Sequence, residues 1–202
     1  MRCEQRDAWE EAYKKKGELW SRKHEDWFQT EENELILDLG SGTGKSLEGL
    51  IGRIVSLDFS PIALKIAKGK SESTDFVCAD STKLPFRDDA FDFARASFIF
   101  GHLDEKGIID TSMELSRVLK INSRLAFEVF SVSDGRYGRG SKIGKNTYRN
   151  GDGIIQRYFD VSEIEPLFKG FKMEHLGLVE WKQKIGPKDE LKRSVIRAIF
   201  RK

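Results

Sequence analysis

A glycine-rich turn behind a short apolar run constrains this chain more than any other feature of its sequence. Residues 35–39 read L-I-L-D-L, the length and composition of a buried parallel strand. Gly40, Gly42 and Gly44 follow at alternate positions, and residues that favour helix come next. Glycine permits unusual backbone dihedrals and has no Cβ to hold a ligand away, and a helix start presents unpaired N–H groups. The stretch therefore predicts a strand, a ligand-binding turn and a helix.

Three kinds of ligand site compete for this turn. A dinucleotide fingerprint needs a third glycine at position 45, which is Lys45. A phosphate-binding P-loop is suggested by the run 44–46, Gly-Lys-Ser, but it needs a glycine at position 39, which is Leu39. The remaining pattern is D-x-G-x-G-x-G, which starts at Asp38. A carboxylate there suits a ligand that carries an ammonium group and no phosphate, and a P-loop-like nucleotide-binding protein stays as the alternative from another class.

Two later strands also end in acids. Asp58 closes the apolar run 53–58 and lies about 20 residues past the first motif, the separation expected for an acid that binds a ribose. Carboxylate oxygens can accept hydrogen bonds from both ribose hydroxyls. Asp80 follows the third apolar run, 76–78. Because the carboxyl ends of parallel strands meet at one rim, we expect Asp38, Asp58 and Asp80 to surround one crevice.

These motifs, with Leu-Pro-Phe at 84–86 and Phe-Asp-Phe at 91–93, resemble those of the class I S-adenosylmethionine-dependent methyltransferases, in particular the small Rossmann-like enzymes. The resemblance implies methyl transfer from S-adenosyl-L-methionine to an acceptor, with release of S-adenosyl-L-homocysteine. It implies that the methionine part lies on the glycine turn with its ammonium near Asp38, that Asp58 holds the ribose, that Phe59 flanks the adenine, and that Asp80 and Ser81 contact its edge. The implied cofactor-binding residues are Asp38, Gly40, Ser41, Gly42, Gly44, Asp58, Phe59, Ser60, Asp80, Ser81 and Ser97.

The alternation of strands and helices from residue 35 to residue 130 predicts an α/β fold with a mostly parallel sheet and helices on both faces. Ser60-Pro61 predicts the start of one helix, since Ser caps helices and Pro suits the first turn, and residues 160–163 predict the start of another that runs to Phe168. Further strands are expected at 171–180 and 193–200, which in the resembled family form an antiparallel C-terminal hairpin that completes a seven-stranded, Rossmann-like sheet. We expect one methyltransferase domain over 1–202. It has a helical N-terminal cap at 1–30, and the glycine-rich, basic segment 132–159 is a flap on the substrate side.

The sequence defines the catalytic and acceptor-binding residues less closely than the cofactor-binding residues. His102, just past the fourth strand, is the one candidate for a general base, which would help if the acceptor is a hydroxyl or an amine. Tyr13, Trp20, Tyr148 and Tyr158 are the aromatic candidates for contact with the acceptor. No metal-binding cluster is predicted, because the three histidines and two cysteines are scattered.

Composition narrows the class of protein and its partners. A net charge of +2 over 202 residues does not favour nucleic acid or membrane strongly, and no apolar run reaches the ~20 residues of a membrane span. Two cysteines suit a reducing compartment. We therefore expect a cytoplasmic enzyme, a monomer or homodimer without membrane contact, that acts on a small-molecule acceptor. A tRNA- or RNA-modifying enzyme is the alternative, since the C-terminal end is basic.

Overall fold

The computed structural model describes residues 2–17, 27–45, 47–186 and 189–202. Its main sheet contains seven strands, β1 (Leu35–Leu39), β2 (Arg53–Asp58), β3 (Asp75–Cys78), β4 (Phe91–Ser97), β5 (Leu119–Phe130), β9 (Lys172–Lys184) and β10 (Glu190–Arg201). Their order in the sheet is β3-β2-β1-β4-β5-β10-β9. Strands β1 to β5 pair in parallel, whereas β10 is antiparallel to both β5 and β9. The predicted seven-stranded α/β sheet with an antiparallel C-terminal strand pair is confirmed.

Three α-helices are described: α1 (Arg2–Lys16), α2 (Pro61–Lys68) and α3 (Glu105–Val118). The predicted start of α2 is confirmed, since the Ala63 amide donates to Ser60 Oγ and Pro61 occupies the first turn. At the start of α3, Asp104 accepts from the Gly107 amide at 2.7 Å. No helix among the described residues is long and apolar enough to cross a membrane.

The prediction of a helix directly after the glycine turn is wrong. Among the described residues between β1 and β2, the helical part is one 3₁₀ turn, Leu47–Gly49. This turn is followed by Leu50, which is buried with Leu47 against Ile36 and Ile54. The connection is thus short and tethered by apolar contacts. In its described part, residues 40–45 and 47–52, no α-helix N-terminus is present on which a P-loop would bind phosphate.

The core lies on both faces of the sheet. On one face, Leu37 and Leu57 pack with residues of α3, including Leu115. On the other face, Ile36 and Phe93 pack with neighbours from four further segments, Trp27, Phe28, Leu47, Ile54 and Ala126. Toward the carboxyl ends of the strands this second face changes from apolar to polar, because the alternation of the strands next presents Asp38, Ser56, Arg95 and Glu128. The polar part of this face therefore begins inside the sheet.

The segment 132–159, which was expected to be a flap on the substrate side, has secondary structure of its own. It contains a second sheet of three short antiparallel strands, β6 (Ser141–Gly144), β7 (Thr147–Arg149) and β8 (Ile155–Arg157). Two 3₁₀ turns, Val161–Glu163 and Glu165–Leu167, stand where the next helix was expected. The division of the chain into a cap, a domain and a flap stays a prediction.

Candidate functional site

The carboxyl ends of the parallel strands open into one cavity of about 720 Å³. Asp38, Asp58 and Asp80 all line it, so the structure brings the three acids of the sequence motifs together. The other predicted site residues on its wall are Tyr13, Gly40, Ser41, Gly42, Phe59, Ser81, Ser97 and His102. The volume lies within the range typical of small-molecule sites, about 300–1,000 Å³.

The glycine turn is held against β2 by its own amides. The amides of Gly40 and Ser41 both donate to the Leu57 carbonyl, at 2.8 and 3.1 Å. Gly40 and Gly42 have φ of +73° and +52°, in the left-handed region that favours glycine. A Cβ on Gly42 would lie 3.2 Å from the hydroxyl of Tyr13, so a side chain at this position would narrow the cavity.

Asp58 is the acid most closely integrated into the turn. One carboxylate oxygen accepts from the Gly42 amide and the other accepts from the Ser60 amide, each at 2.9 Å. Burial raises the pKa of Asp58 to about 6, although these backbone hydrogen bonds oppose the shift. The carboxylate is thus oriented by the backbone, and it changes charge just below neutral pH.

Asp38 is buried in the sheet with partners on both neighbouring strands. Its Oδ1 accepts from the guanidinium of Arg95 on β4 at 2.9 Å, and its Oδ2 lies 3.4 Å from the hydroxyl of Ser56 on β2. Asp38 and Arg95 are also directly opposite in the strand register. This carboxylate is therefore already paired with a cation, and contact with a ligand ammonium stays a prediction.

The acid after β3 is more open. Asp80 is exposed and accepts from both the amide and the hydroxyl of Thr82, at 2.9 and 2.7 Å. The neighbouring Ser81 is buried, with its hydroxyl 3.1 Å from that of Thr111 on α3. These contacts fix the loop that forms this end of the cavity.

Helix α1 closes the cavity from above the glycine turn. Its Tyr13 is buried beside Asp58, and burial raises the pKa of this phenol, which stays neutral. Trp9 stacks on Tyr13 and meets the ring of His102 edge-on, with centroids 4.8 Å apart in the latter pair. The helix therefore brings two aromatic side chains to the cavity wall.

His102 lines the cavity and is partly buried. Its Nδ1 lies 2.6 Å from the carbonyl of Ile155, and burial lowers its pKa to about 4. Because a carbonyl can only accept, Nδ1 carries the proton and Nε2 of the neutral ring holds a lone pair. At pH 7 the ring is uncharged, and its role as a base stays a prediction.

Several predicted site residues lie away from the wall. Gly44 faces Ala67 of α2, since a Cβ added there would lie 2.8 Å from the Ala67 methyl. Ser60 is the cap of α2, whereas Tyr148 and Tyr158 pack with Tyr137 beside the small sheet. These four were placed at the site by position in the motif or by aromatic type, and the packing of their side chains takes them elsewhere. Trp20 falls outside the described residues.

The sequence motifs did not identify two charged residues of the site. Glu128 lies on the cavity wall, and Arg95 supports the wall through its ion pair with Asp38. Both are almost completely buried, and the Arg197 guanidinium lies 2.7 Å from Oε1 of Glu128. The available signal was a charge inside an otherwise apolar strand, since such a residue is rarely buried without a partner. Phe98 was also missed. It has a φ of +64°, unusual for an aromatic residue and typical of positions at functional sites.

Residues 37–127 match the family model described as "Methyltransferase domain". A search of curated proteins finds an uncharacterized protein of Methanocaldococcus jannaschii, 30% identical over 144 residues, which are 68% of this chain and 55% of that protein. The demethylmenaquinone methyltransferase of Paenarthrobacter aurescens is 34% identical over 115 residues, 55% of this chain and 45% of that one. The chain spans about half the length of these curated relatives.

Among solved structures, a crystal structure described as a SAM-dependent methyltransferase from Methanosarcina mazei superposes with a TM-score of 0.70. The alignment covers 85% of this chain and 93% of that one at 22% sequence identity, a likeness that concerns the fold. Residues 37–127 therefore match a methyltransferase domain, and the chain as a whole has the fold of the class I S-adenosylmethionine-dependent methyltransferases.

Proposed function

We propose that this protein transfers the methyl group of S-adenosyl-L-methionine to a small-molecule acceptor. The observation that carries the proposal is the single cavity lined by Asp38, Asp58 and Asp80 from three adjacent strands. The family match supports the reaction type, and the names of the quinone methyltransferases among the relatives support a small acceptor.

The polar groups of the cavity fit the proposed cofactor. The hydroxyls of Ser41 and Ser97 are buried on the wall without a hydrogen-bond partner, an arrangement that is costly unless a ligand supplies one. In the proposal, Asp58 accepts from the ribose hydroxyls, Phe59 flanks the adenine, and Asp80 and Ser81 contact the base. The turn at Gly40 and Gly42 supports the methionine part.

S-adenosylmethionine supplies a methyl group that is already activated by its sulfonium. The chain then has to orient the two reactants and exclude water, and orientation alone can lower a barrier by ~7–11 kcal/mol. Helix α1 and the buried aromatic rings of Trp9 and Tyr13 provide the water-excluding side of the cavity. His102 presents an uncharged ring with an Nε2 lone pair, suited to accept a hydrogen bond from an acceptor hydroxyl or amine.

The two alternative functions, an RNA-modifying enzyme and a nucleotide-hydrolysing protein, have less support. The cations of the C-terminal hairpin, which suggested RNA, are largely paired with carboxylates in Lys182–Glu190, Lys192–Glu180, Arg193–Asp134, Arg197–Glu128 and Arg201–Glu174. Paired cations contribute little to the attraction of a phosphate backbone. The nucleotide-hydrolysing alternative needs an α-helix after the glycine turn, whereas the described residues there form a 3₁₀ turn.

Calorimetric titration of the full chain with S-adenosylhomocysteine and with ATP tests the cofactor assignment. We expect S-adenosylhomocysteine to bind and ATP to give no signal. Asp58→Ala should weaken S-adenosylhomocysteine at least about tenfold, because a hydrogen bond to a charged group is worth about 1.5–3 kcal/mol. The matched control is Asp75→Ala, which removes an exposed aspartate at the other end of the neighbouring strand β3.

Binding of ATP without binding of S-adenosylhomocysteine would overturn the proposal, and equal losses in the two aspartate variants would remove Asp58 from the site. The acceptor class is then tested by methyl transfer from labelled S-adenosylmethionine to separate metabolite and tRNA pools. Label confined to tRNA would contradict the small-molecule assignment.

A further inference from the structure

The cavity extends well beyond the strands that carry the three acids. Its far end is built by the strands β5, β9 and β10, and the wall there consists of Glu128, Phe130, Val179, Glu180, Trp181, Gln183, Arg193 and Arg197. In the sheet order, β10 lies four strands from β2, which corresponds to about 19 Å at the usual strand spacing of about 4.8 Å. We call this region the hairpin end of the cavity. It is too far from Asp58 for the nucleoside contacts proposed above.

Arg193 is the central residue of the hairpin end. Only 3% of it is exposed. Its Nε donates to Asp134 at 2.8 Å and its Nη1 donates to Gln183 at 2.9 Å, whereas its buried Nη2 has no hydrogen-bond partner. An unpaired buried N–H is costly, and the cost is removed when a ligand oxygen accepts from it. The unpaired Nη2 of Arg193 therefore indicates that the molecule at this end of the cavity carries an oxygen that accepts from it.

Aromatic rings surround the same guanidinium. Its Cζ lies 4.5 Å from the centroid of the Phe130 ring and 5.9 Å from that of Trp181. Phe98, held at its positive φ, stacks on Phe130 with centroids 4.5 Å apart. Flat aromatic surfaces of this kind favour a flat, apolar ligand, because aromatic pairs add to the free energy of surface burial.

The charges of the hairpin end cancel. Its wall carries two arginines, Arg193 and Arg197, and two glutamates, Glu128 and Glu180. Each of the four is ion-paired, Arg197 with Glu128, Arg193 with Asp134, and Glu180 with Lys192. A ligand with its own full charge would meet no uncompensated charge here, so a neutral oxygen is the better match for Nη2.

We propose that Arg193 is a specificity-determining residue for the methyl acceptor, which is a planar, uncharged aromatic compound with a carbonyl or hydroxyl oxygen that accepts from Nη2. This inference rests on the proposed function, since it assigns the hairpin end to the acceptor. It goes further by stating the acceptor's chemical class and the atom that recognises it.

The test compares three probes with the same ring and the same point of substitution: acetylnaphthalene, ethylnaphthalene and naphthoate. Binding is measured by calorimetry on the full chain saturated with S-adenosylhomocysteine. We expect acetylnaphthalene to bind about tenfold or more tightly than ethylnaphthalene, the effect of one hydrogen bond to a charged donor. Naphthoate should bind more weakly than acetylnaphthalene, because its charge is not compensated.

Arg193→Lys keeps a cation beside Asp134 but removes Nη2, so it should abolish the preference for acetylnaphthalene. The matched control is Arg201→Lys on the same strand, where the guanidinium pairs with Glu174 at the surface and does not reach the cavity. This control should keep the preference. The comparison of probes on the unsubstituted protein stands even if Arg193→Lys does not fold.

Equal binding of acetylnaphthalene and ethylnaphthalene by the unsubstituted protein would overturn the inference. So would an unchanged preference in Arg193→Lys, or tighter binding of naphthoate. Each of these results leaves the proposed function intact as long as S-adenosylhomocysteine binds. If S-adenosylhomocysteine itself fails to bind, the proposed function fails first and this inference fails with it.

Discussion

Two titratable residues at the cavity, Asp58 and His102, have pKa values that desolvation shifts in opposite directions. Burial raises the pKa of Asp58 to about 6, because it disfavours the carboxylate. Burial lowers the pKa of His102 to about 4, because it disfavours the imidazolium. In the unfolded chain the two groups titrate near their ordinary values of about 3.9 and 6.5. Between pH 5 and 6, both groups therefore make the free energy of unfolding depend on pH.

The signs of the two contributions differ. Between about pH 5 and 6 the folded chain binds the extra proton at Asp58, so this group makes the free energy of unfolding fall as pH rises. Over the same interval the unfolded chain binds the extra proton at His102, so this group makes the free energy of unfolding rise with pH. In the native sequence the two slopes partly cancel.

We predict that single substitutions reveal how each group changes the free energy of unfolding with pH. Asp58→Asn should leave a free energy of unfolding that rises from pH 5 to 6, and His102→Asn should leave one that falls. Urea unfolding at several pH values measures both, with Asp75→Asn as the exposed control that keeps the native profile. Identical profiles for all four proteins would show that neither group titrates in this interval.

At the scale of elements, the contact between α1 and the loop before β8 decides how the cavity is closed. The side-chain amide of Gln5 donates to the Gly153 carbonyl at 2.9 Å and accepts from the Ile155 amide at 2.8 Å. Lys16, at the end of the same helix, pairs with Asp152 at 2.7 Å, but this pair is about half exposed. The helix thus has one buried and one exposed attachment to the same loop.

We predict that the buried attachment dominates. Gln5→Leu leaves a buried donor and a buried acceptor unpaired and should cost about 1–3 kcal/mol in the free energy of unfolding. Lys16→Ala, the matched control, removes a surface ion pair and should cost less than about 1 kcal/mol. Urea unfolding measures both costs, and hydrogen exchange at the Ile155 amide should accelerate in Gln5→Leu alone. Equal costs, or equal exchange rates in the two variants, would contradict the dominance of the buried attachment.

At the scale of the whole molecule, the buried pair of Asp38 and Arg95 joins β1 to β4 in the middle of the sheet, directly below the cavity. Its position couples the stability of the sheet to the geometry of the site. A buried ion pair contributes little net stability compared with apolar residues of similar size, but removal of one partner leaves an uncompensated charge.

We predict that Arg95→Met lowers the free energy of unfolding by about 3–5 kcal/mol and that Asp38→Leu, added to it, restores much of the loss. The matched control is Lys120→Met, which breaks the more exposed pair of Lys120 with Asp92 and should cost less than about 1 kcal/mol. Urea unfolding of the four proteins gives the values. A small cost for Arg95→Met would mean that water reaches Asp38 in the variant.

Local signals in the sequence determined the strands and the position of the site. The apolar runs that end in Asp38 and Asp58 predicted two adjacent parallel strands, and Ser60-Pro61 predicted the start of α2; the structure confirms each of them. These predictions succeeded because strand burial and helix capping depend on residues within a few positions of one another. The common rim followed from the handedness of parallel crossovers, a general property of such sheets.

Tertiary structure decided what occupies the cavity wall. Arg193 and Glu128 reach it because β10 inserts between β5 and β9, and Tyr148 and Tyr158 leave it because the segment 132–159 folds into its own small sheet. Neither result can be obtained from local spacing, since each depends on contacts between residues that are distant in the chain. The sequence by itself determined the rim at which Asp38, Asp58 and Asp80 meet, because that rim is made of strand ends. The hairpin end of the cavity is made by long-range strand pairing and could be located only in the folded protein.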